Sequence, residues 1–367
     1  MKLVTIVGAR PQFIKAAAVS RAIAAHNRKG RSPRIEEVIL HTGQHYDHGM
    51  SQVFFDELGI PEPRYNLGIA GMSHGEMTGR MLEAIERTLV EEKPDWAQVY
   101  GDTNSTLAGA LAAKKLNLRV AHVEAGLRSF NRRMPEEINR ILADRISDLL
   151  LCPTETAVEN LRREGITEGV ANVGDVMYDV SLFYRERARR QSRIGETLRL
   201  EPRQYVLATV HRAENTDDPV RLRGIAEGLA RIAQSRRVVL ALHPRTRKLL
   251  REHGMENALG RVEVIEPVSY LDMVRLEESA AAICTDSGGV QKEACFFGVP
   301  CVTLREETEW VETVAGGWNT LAGADAEKIA VAAVAPANSQ AADVSRMYGD
   351  GHAAEKIVAL IAAGGRV

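Results

Sequence analysis

Short apolar runs alternate with longer segments of helical period along the whole chain. The first run covers 3–7, and Ile14, Ala18 and Ile23 recur at helical spacing after it. Further strands are predicted at 37–40, 97–100, 120–123 and 149–151, and a second series at 205–209, 238–242, 262–265, 280–284 and 301–304. Helices are predicted near 74–92, 104–116 and 136–147. This alternation favours an α/β architecture built on parallel sheets.

The two series of strands predict two domains. The chain has 367 residues, more than one hydrophobic core usually serves. The charged stretch 183–203 resembles a solvated helix and linker. We place the N-terminal domain at 1–175, with a helix near 350–367 packing back on it, and the C-terminal domain at 176–349. Because ligands of open α/β sheets bind beyond the carboxyl ends of the strands, the active site is expected in the interdomain cleft.

Composition excludes several classes of partner. Lys and Arg number 47, Asp and Glu 49, and the net charge of −2 gives no footprint for nucleic acid or an anionic membrane. The four cysteines lack C-x-x-C spacing and are typical of small core residues in a reducing compartment. The first apolar run is too short for a signal peptide or a membrane span. We therefore expect a cytoplasmic protein without a metal site.

The segment 280–294 is the most informative part of the chain. A strand-like run ends before Ser287, Gly288 and Gly289, and a helix-like segment follows at 290–297. This geometry directs backbone N–H groups and a helix dipole at an anion, and the glycines let backbone approach a phosphate closely. Glu293 lies one helical turn further, where a carboxylate can accept hydrogen bonds from a ribose. The alternative is an ordinary βα turn with Ser287 as its N-cap.

Polar residues follow the other strands as well. Arg10 and Lys15 bring two cations to the turns after the first strand, although a solvated helix face would explain them equally. Asp102, Glu124 and Glu136 each have a structural explanation when taken alone. If the three carboxylates converge, repulsion and burial would raise at least one pKa and create an acid–base set. In the second half, His211 with Arg212 and Glu214, and His243 with Arg245, follow strands.

Together these segments resemble the non-hydrolysing UDP-sugar 2-epimerases, with eight motifs in the family's order from Lys2 to about Gly351. The chain is most similar to the branch acting on UDP-2,3-diacetamido-2,3-dideoxy-D-glucuronic acid, through 8–15, 129–135, 211–218 and 308–312. Relatives using UDP-N-acetylglucosamine usually show Thr-Arg-Pro-Glu, His-Arg-Arg-Glu and Glu-Arg-Pro-Glu. At the matching positions this chain has Ala9 with Gln12, Ala213, and Trp310-Val311.

The resemblance implies a glycosyltransferase-B fold of two Rossmann-like domains, with UDP bound mainly by the second. It implies inversion at C2 (gluco to manno) by elimination of UDP to a glycal and its re-addition, without a cofactor. The residues that match the family's catalytic set are Asp102, Glu124, Glu136 and His211. Those that match its UDP-binding set are Arg10, Lys15, His243, Ser287, Gly288, Gly289 and Glu293. Gln44, Arg212 and Glu214 match part of a second, activating substrate site.

Three further expectations accompany the resemblance. Arg132 or Arg133, between the Glu124 and Glu136 motifs, is expected to meet the extra carboxylate of a glucuronate substrate. A homodimer and a role in surface-polysaccharide synthesis, such as lipopolysaccharide O-antigen, follow from family analogy alone. The first alternative is the same reaction on UDP-N-acetylglucosamine, giving UDP-N-acetylmannosamine. A second alternative, a glycosyltransferase of the same fold, is disfavoured by the carboxylate trio, and a non-catalytic sensor by the presence of every candidate catalytic residue.

Overall fold

Two parallel β-sheets, one in each of two units, organise the chain. The computed structural model describes residues 1–43, 61–335 and 341–367, apart from the side chains of Arg10 and Glu256. Unit 1 comprises Met1–Val180 with Met347–Val367, and unit 2 comprises Ser181–Arg346. The α/β class with two parallel sheets is confirmed.

The strand order is that of a Rossmann-like sheet in both units. In unit 1 the strands are β1 (Lys2–Val7), β2 (Glu36–His41), β3 (Tyr65–Asn66), β4 (Trp96–Tyr100), β5 (Arg119–Val123), β6 (Leu149–Cys152) and β7 (Val170–Asn172). In unit 2 they are β8 (Tyr205–Thr209), β9 (Arg237–Ala241), β10 (Glu263–Ile265), β11 (Ala282–Thr285), β12 (Cys301–Thr303) and β13 (Asn319–Leu321). The spatial orders are β3-β2-β1-β4-β5-β6-β7 and β10-β9-β8-β11-β12-β13. The central strands are buried on both faces, which explains their continuous apolar runs.

Helices connect successive strands. In chain order they are α1 (Arg10–Arg28), α2 (His74–Glu92), α3 (Asn104–Lys115), α4 (Pro135–Ile146), α5 (Glu155–Arg163), α6 (Val176–Gln191), α7 (Ile194–Thr197), α8 (Ala213–Thr216), α9 (Pro219–Ile232), α10 (Pro244–Glu252), α11 (Tyr270–Ser279), α12 (Gly288–Phe296), α13 (Val311–Ala315), α14 (Ala326–Val334), α15 (Val344–Tyr348) and α16 (Ala353–Ala362). A 3₁₀ turn covers Glu256–Leu259. Within unit 1, α16 packs against α1.

Two sequence predictions differ from the helices found. The helix after the glycine pair begins at Gly288, not at 290, because Ser287 already caps it and both glycines adopt helical backbone. The charged stretch 183–203 is not one solvated helix: α6 begins at Val176, and its residue Tyr184 is fully buried. The charged residues suggested a fully solvated helix, but α6 also has an apolar face that is buried.

Each sheet reverses its strand order at one point. In unit 1 the reversal lies between β1 and β4, and in unit 2 between β8 and β11. Ligands of doubly wound sheets bind beyond the carboxyl ends of the strands at such points. The residues that follow these four strands are Gly8 and Ala9, Gly101 and Asp102, Val210 and His211, and Asp286 and Ser287. The two reversal points thus coincide with the predicted motifs.

Candidate active site

In unit 1, Lys15 and Glu124 form a largely buried ion pair beside the turn that holds Asp102. Lys15 comes from α1 and Glu124 follows β5. Gly101 lies against this pair: a β-carbon there would stand 3.3 Å from Glu124 Oε2 and 3.7 Å from Lys15 Nζ. The structure therefore brings together the predicted residues Lys15, Asp102 and Glu124. The Lys15 ammonium group lies near the carboxyl ends of β4 and β5.

The backbone of Glu124 is itself unusual. Its φ is 71°, in the left-handed region that few residues other than glycine adopt. Its N–H donates to Leu151 O at 3.0 Å, which holds this conformation in place. Such strain costs about 1 kcal/mol or more and persists where the surroundings fix it, often at functional sites.

Asp102 is paired with Arg140, a residue that the sequence did not single out. Arg140 lies on α4, ion-pairs with Asp102, and donates from Nη1 to Glu137 Oε2 at 2.9 Å. Burial raises the pKa of Asp102, Arg140 opposes the rise, and the negative charge of Glu124 adds to it. Asp102 is thus a carboxyl of raised pKa next to a fixed cation, as an acid–base group requires.

Of the two adjacent glutamates on α4, the structure buries the second. Glu137 is 1% exposed and accepts hydrogen bonds from Ser129 N, Ser129 Oγ and Phe130 N, each at 2.9 Å. Glu136, the predicted catalytic residue, is exposed at the helix N-terminus, and Arg132 and Arg133 are exposed in the preceding turn. Glu137 therefore shapes this turn, while Glu136 remains accessible to a ligand.

Gln12 joins two of the turns. Its Oε1 accepts from Gly8 N at 2.8 Å and from Ala9 N at 3.0 Å, and its Nε2 donates to Tyr100 O at 2.7 Å. The side-chain amide thus links the segment after β1 to the segment before Asp102. An amide can both accept and donate in this way, whereas a carboxylate can only accept.

In unit 2, Asp286 organises the segment that contains His211. The Asp286 carboxylate is fully buried and accepts from His211 N at 3.1 Å, Arg212 N at 3.0 Å and Asn215 Nδ2 at 3.1 Å. The side chain of His211 is 44% exposed, with Nδ1 3.4 Å from Asp286 Oδ1. Partial burial lowers the pKa of His211, with Asp286 opposing and the charges of Arg212 and His243 adding to the decrease.

The N-terminus of α12 is closely packed. Ser287 Oγ accepts from Val290 N at 3.5 Å, so the N-cap expected from the alternative explanation is present. A β-carbon on Gly288 would lie 2.7 Å from Glu309 Oε1 and 3.2 Å from Trp310 Nε1, so a larger residue there would require the Glu309 carboxylate to move. Burial opposes ionisation of Glu309, but Arg305 and Arg212 outweigh it and hold its pKa below the usual range.

Glu293 and His243 are the other predicted UDP-binding residues of unit 2. Glu293 is 7% exposed and accepts from the Tyr270 hydroxyl at 3.1 Å. His243 caps α10, its Nδ1 accepting from Arg245 N at 3.2 Å, and its ring centroid lies 6.5 Å from that of His211. Unit 2 thus places His211, His243 and Ser287 just after the carboxyl ends of β8, β9 and β11, with Glu293 on the helix that follows β11.

Four predicted residues remain to be placed: Gln44, Arg10, Glu214 and the side chain of Arg212. Gln44 and the side chain of Arg10 lie outside the described part of the structure. Glu214 is exposed, 3.6 Å from Arg221 Nη2, and Arg212 Nη2 lies 3.6 Å from Glu309 Oε1. Across 1–43, 61–335 and 341–367 no group of three His, Cys, Asp or Glu side chains is close enough to hold a metal ion. Within the same ranges no helix combines the length and apolarity of a membrane span.

Sequence reasoning missed Arg140, Glu137 and Asp286. The available signals were the spacing of Arg140 from the Glu pair on α4, at i+3 and i+4, and the position of Asp286 directly after a buried strand. Neither signal shows which residue Arg140 or Asp286 contacts. Asp102 and Arg140, for example, are 38 residues apart in the chain.

Three comparisons with known proteins agree. A family model described as UDP-N-acetylglucosamine 2-epimerase matches residues 27–362. The UDP-2,3-diacetamido-2,3-dideoxy-D-glucuronate 2-epimerase of Pseudomonas aeruginosa is 52% identical over 99% of both chains. A UDP-N-acetylglucosamine 2-epimerase homolog of Methanococcus maripaludis is 52% identical over 98% of this chain and 99% of its own. The crystal structure of Methanocaldococcus jannaschii UDP-GlcNAc 2-epimerase with UDP-GlcNAc and UDP matches with a TM-score of 0.87 and 44% identity over 99% of this chain and 100% of that one.

Proposed function

Because the chain belongs to the UDP-N-acetylglucosamine 2-epimerase family, we propose that it inverts C2 of UDP-2,3-diacetamido-2,3-dideoxy-D-glucuronic acid. The observation that favours this substrate is the full-length 52% identity to the Pseudomonas aeruginosa enzyme of that name. The substitutions at Ala9, Gln12, Ala213 and Trp310 support the same branch.

The chemistry proceeds without a free carbanion. A base removes the C2 proton, the electron pair forms the C1–C2 double bond, and the C1–O bond breaks to release UDP. The proton then returns to the opposite face of C2, and a UDP phosphate oxygen adds back to C1. We assign the proton transfers to Asp102, Glu124 and Glu136, which supply general acid–base catalysis.

UDP is assigned mainly to residues of unit 2. The N–H groups that open α12 at Gly288 and Gly289 are suited to a diphosphate, and Ser287 lies beside them. Glu293 would accept from the ribose hydroxyls. His211 and His243, together with Arg10 and Lys15, are proposed to stabilise the charge that develops on the departing diphosphate.

Arg132 and Arg133 are proposed to recognise the substrate carboxylate. Both are exposed before α4, and in the described ranges neither forms an ion pair. The test is to measure the KM for the acid sugar in the variants Arg132→Ala and Arg133→Ala. Arg87→Ala, at another exposed arginine, is the matched control. At least one should raise the KM for the acid sugar about tenfold or more, and an unchanged KM in both would exclude this role.

The second candidate substrate is UDP-N-acetylglucosamine, favoured by the 44% identical Methanocaldococcus jannaschii enzyme. The discriminating experiment is steady-state kinetics of the same preparation on both UDP-sugars. A kcat/KM at least tenfold higher for the diacetamidoglucuronate supports our proposal, and the reverse ratio supports the second candidate. Activity only in the presence of a sugar acceptor would instead indicate a glycosyltransferase.

We further propose that the protein is cytoplasmic and homodimeric and that its product enters surface-polysaccharide synthesis. The free, buried state of Cys152, Cys284, Cys295 and Cys301 supports a reducing compartment. Sedimentation velocity at micromolar concentration tests the dimer, and a single monomer peak would contradict it.

The Gln44, Arg212 and Glu214 positions remain a proposed second substrate site, testable by sigmoidal rate curves.

A further inference from the structure

The indole nitrogen of Trp310 is a buried donor to which no described residue offers an acceptor. Trp310 directly precedes α13 and is 6% exposed, and across 1–43, 61–335 and 341–367 its Nε1 has no hydrogen-bond partner. A buried N–H group without an acceptor carries a free-energy cost, and most such groups in native proteins are paired. Because an indole N–H can only donate, the group that would satisfy it is an acceptor oxygen.

This donor lies at the start of α12. From the point where a β-carbon on Gly288 would stand, Trp310 Nε1 is 3.2 Å away and Glu309 Oε1 is 2.7 Å away. Gly288 is the first residue of α12, and the first N–H groups of a helix have no partner within it. The helix dipole adds partial positive charge at the same end. The indole N–H and the helix N-terminus therefore meet at one place, and both favour an oxyanion there.

Two contacts with α12 hold the indole in this position. Trp310 N donates to Thr308 Oγ1 at 3.1 Å, and Thr308 Oγ1 donates to Gln291 Oε1 at 2.7 Å. Lys292 Nζ lies 3.8 Å from the centroid of the Trp310 ring, in a cation–π contact. Gln291 and Lys292 both belong to α12, so the ring is fixed to the helix that it faces. A donor that is already held in place loses little freedom when a ligand binds.

The charges beside Gly288 also suit an anion. The Glu309 carboxylate is paired with two arginines: Arg305 Nη1 donates to Glu309 Oε2 at 2.9 Å, and Arg212 Nη2 lies 3.6 Å from Glu309 Oε1. Two cations and one carboxylate leave this cluster with a surplus of positive charge. Glu309 therefore does not prevent an anion from binding at the start of α12.

We propose that Trp310 is a further ligand-binding residue, whose indole N–H donates a hydrogen bond to a phosphate oxygen of the UDP-sugar at the start of α12. This inference rests on the proposed function, which assigns the diphosphate to Gly288 and Gly289. Because the diphosphate gains negative charge when the C1–O bond breaks, the same donor would hold the departing UDP.

The direct test is ¹H–¹⁵N NMR of the indole groups of the intact protein, titrated to saturation with UDP and, separately, with uridine. The chain has three tryptophans, and the signal that is lost in Trp310→Phe identifies Trp310. UDP should move the Trp310 indole proton downfield through a new charge-assisted hydrogen bond, whereas uridine, which has no phosphate, should leave it in place. Trp318 Nε1, which already donates to Ala342 O at 2.8 Å, is the internal control. A Trp310 signal that UDP leaves unmoved, or that uridine moves equally, would overturn the proposal.

The Trp310→Phe variant also measures the strength of the contact, because it keeps an aromatic ring and removes the indole N–H. We expect its Kd for UDP, measured by calorimetry, to rise about tenfold or more. Trp318→Phe is the matched control: it removes an indole N–H elsewhere in unit 2 and should leave the Kd for UDP unchanged. A lower melting temperature of Trp310→Phe with an unchanged Kd would show that Trp310 serves packing alone and would refute the phosphate contact.

The same measurements separate this inference from the proposed function. A wild-type protein that shows the indole shift with UDP but converts neither UDP-sugar would contradict the epimerase and support the phosphate contact. A wild-type protein that converts a UDP-sugar while the Trp310 signal stays unmoved would support the epimerase and contradict the contact.

Discussion

The carboxyl of Asp102 is under two opposing influences. Burial raises its pKa, and the ion pair with Arg140 lowers it. Removal of Arg140 therefore leaves burial and the charge of Glu124, which both favour the protonated acid. The balance of these two influences determines the pH at which Asp102 can accept a proton.

Asp102→Asn removes the ionisable group and keeps its size. We expect kcat to fall about 10²- to 10⁴-fold, while the Kd for UDP, measured by calorimetry, stays within about twofold because most of the residues assigned to UDP belong to unit 2. Glu83→Gln, an exposed acid-to-amide change on α2, is the control and should retain full activity. An Asp102→Asn protein with wild-type turnover would remove Asp102 from the mechanism.

Arg140→Met should shift the pH dependence of kcat. Because Arg140 holds the pKa of Asp102 down, its loss raises that pKa, so the acidic limb of the profile moves to higher pH. Arg140→Lys keeps a positive charge and should show a smaller shift. A limb that stays in place, or moves to lower pH, would show that Arg140 does not act on Asp102.

Single residues were only partly predictable from the sequence. Asp102, Glu124 and Lys15 were identified because each follows a strand or opens a helix, and the structure brings them together. Arg140 and Asp286 were missed because their partners are distant in the chain. The ion pair of Lys15 with Glu124 was also missed, since the family resemblance assigned Lys15 to the nucleotide or its phosphates.

At the scale of elements, the turn into α12 depends on glycine for two different reasons. At Gly288 a β-carbon would lie too close to Glu309 Oε1, at 2.7 Å, whereas at Gly289 the nearest atom to a β-carbon is Ser287 Oγ at 3.8 Å. Both backbones are helical. The first glycine avoids a close contact with Glu309, and the second is explained only by its proposed closeness to the diphosphate.

Gly288→Ala should lower the free energy of unfolding by about 1–3 kcal/mol through overpacking. Gly289→Ala should leave it unchanged or slightly higher, since alanine stabilises helical backbone. Urea denaturation of both variants in the absence of UDP makes the comparison. Equal destabilisation by the two variants would contradict the packing at Gly288.

Asp179 on α6 caps the C-terminal helix α16. Its oxygens accept from Ala353 N at 3.1 Å and Ala354 N at 2.8 Å, and burial raises its pKa from 3.8 to about 6. The ionised form is therefore costly in the folded state above about pH 6, and the cost disappears as the folded protein takes up a proton toward pH 4.

Asp179→Asn removes this pH-dependent cost and keeps one acceptor for the helix. The stability of the variant relative to the wild type should therefore be on the order of 2 kcal/mol more favourable at about pH 8 than at about pH 4. Urea unfolding at both pH values measures the difference. A difference of opposite sign, or none, would show that Asp179 is not held at a raised pKa.

Element boundaries were largely predictable. The helices expected at 74–92, 104–116 and 136–147 match α2, α3 and α4 to within one residue, because caps and apolar period agree there. The start of α12 was misplaced because two consecutive glycines suggest a turn, although they also permit helix. The buried face of α6 was hidden by its many arginines.

At the scale of the whole molecule, two parallel sheets with the same strand order place the predicted motifs at their reversal points. The α/β fold and the family were predicted from the sequence, and both are confirmed by the structure and its relatives. The net charge of −2 supplies no overall positive field, so the proposed anionic ligand would depend on local cations.

The most direct measurement is proton NMR of the purified protein in D₂O, with UDP-2,3-diacetamido-2,3-dideoxy-D-glucuronic acid and UDP-N-acetylglucosamine in separate samples. Elimination and re-addition require the C2 proton to exchange with solvent at each inversion. We predict a manno product with deuterium at C2 in the first sample, and no product when Asp102→Asn replaces the wild type. Inversion without deuterium at C2, or no conversion of either sugar, would contradict the account.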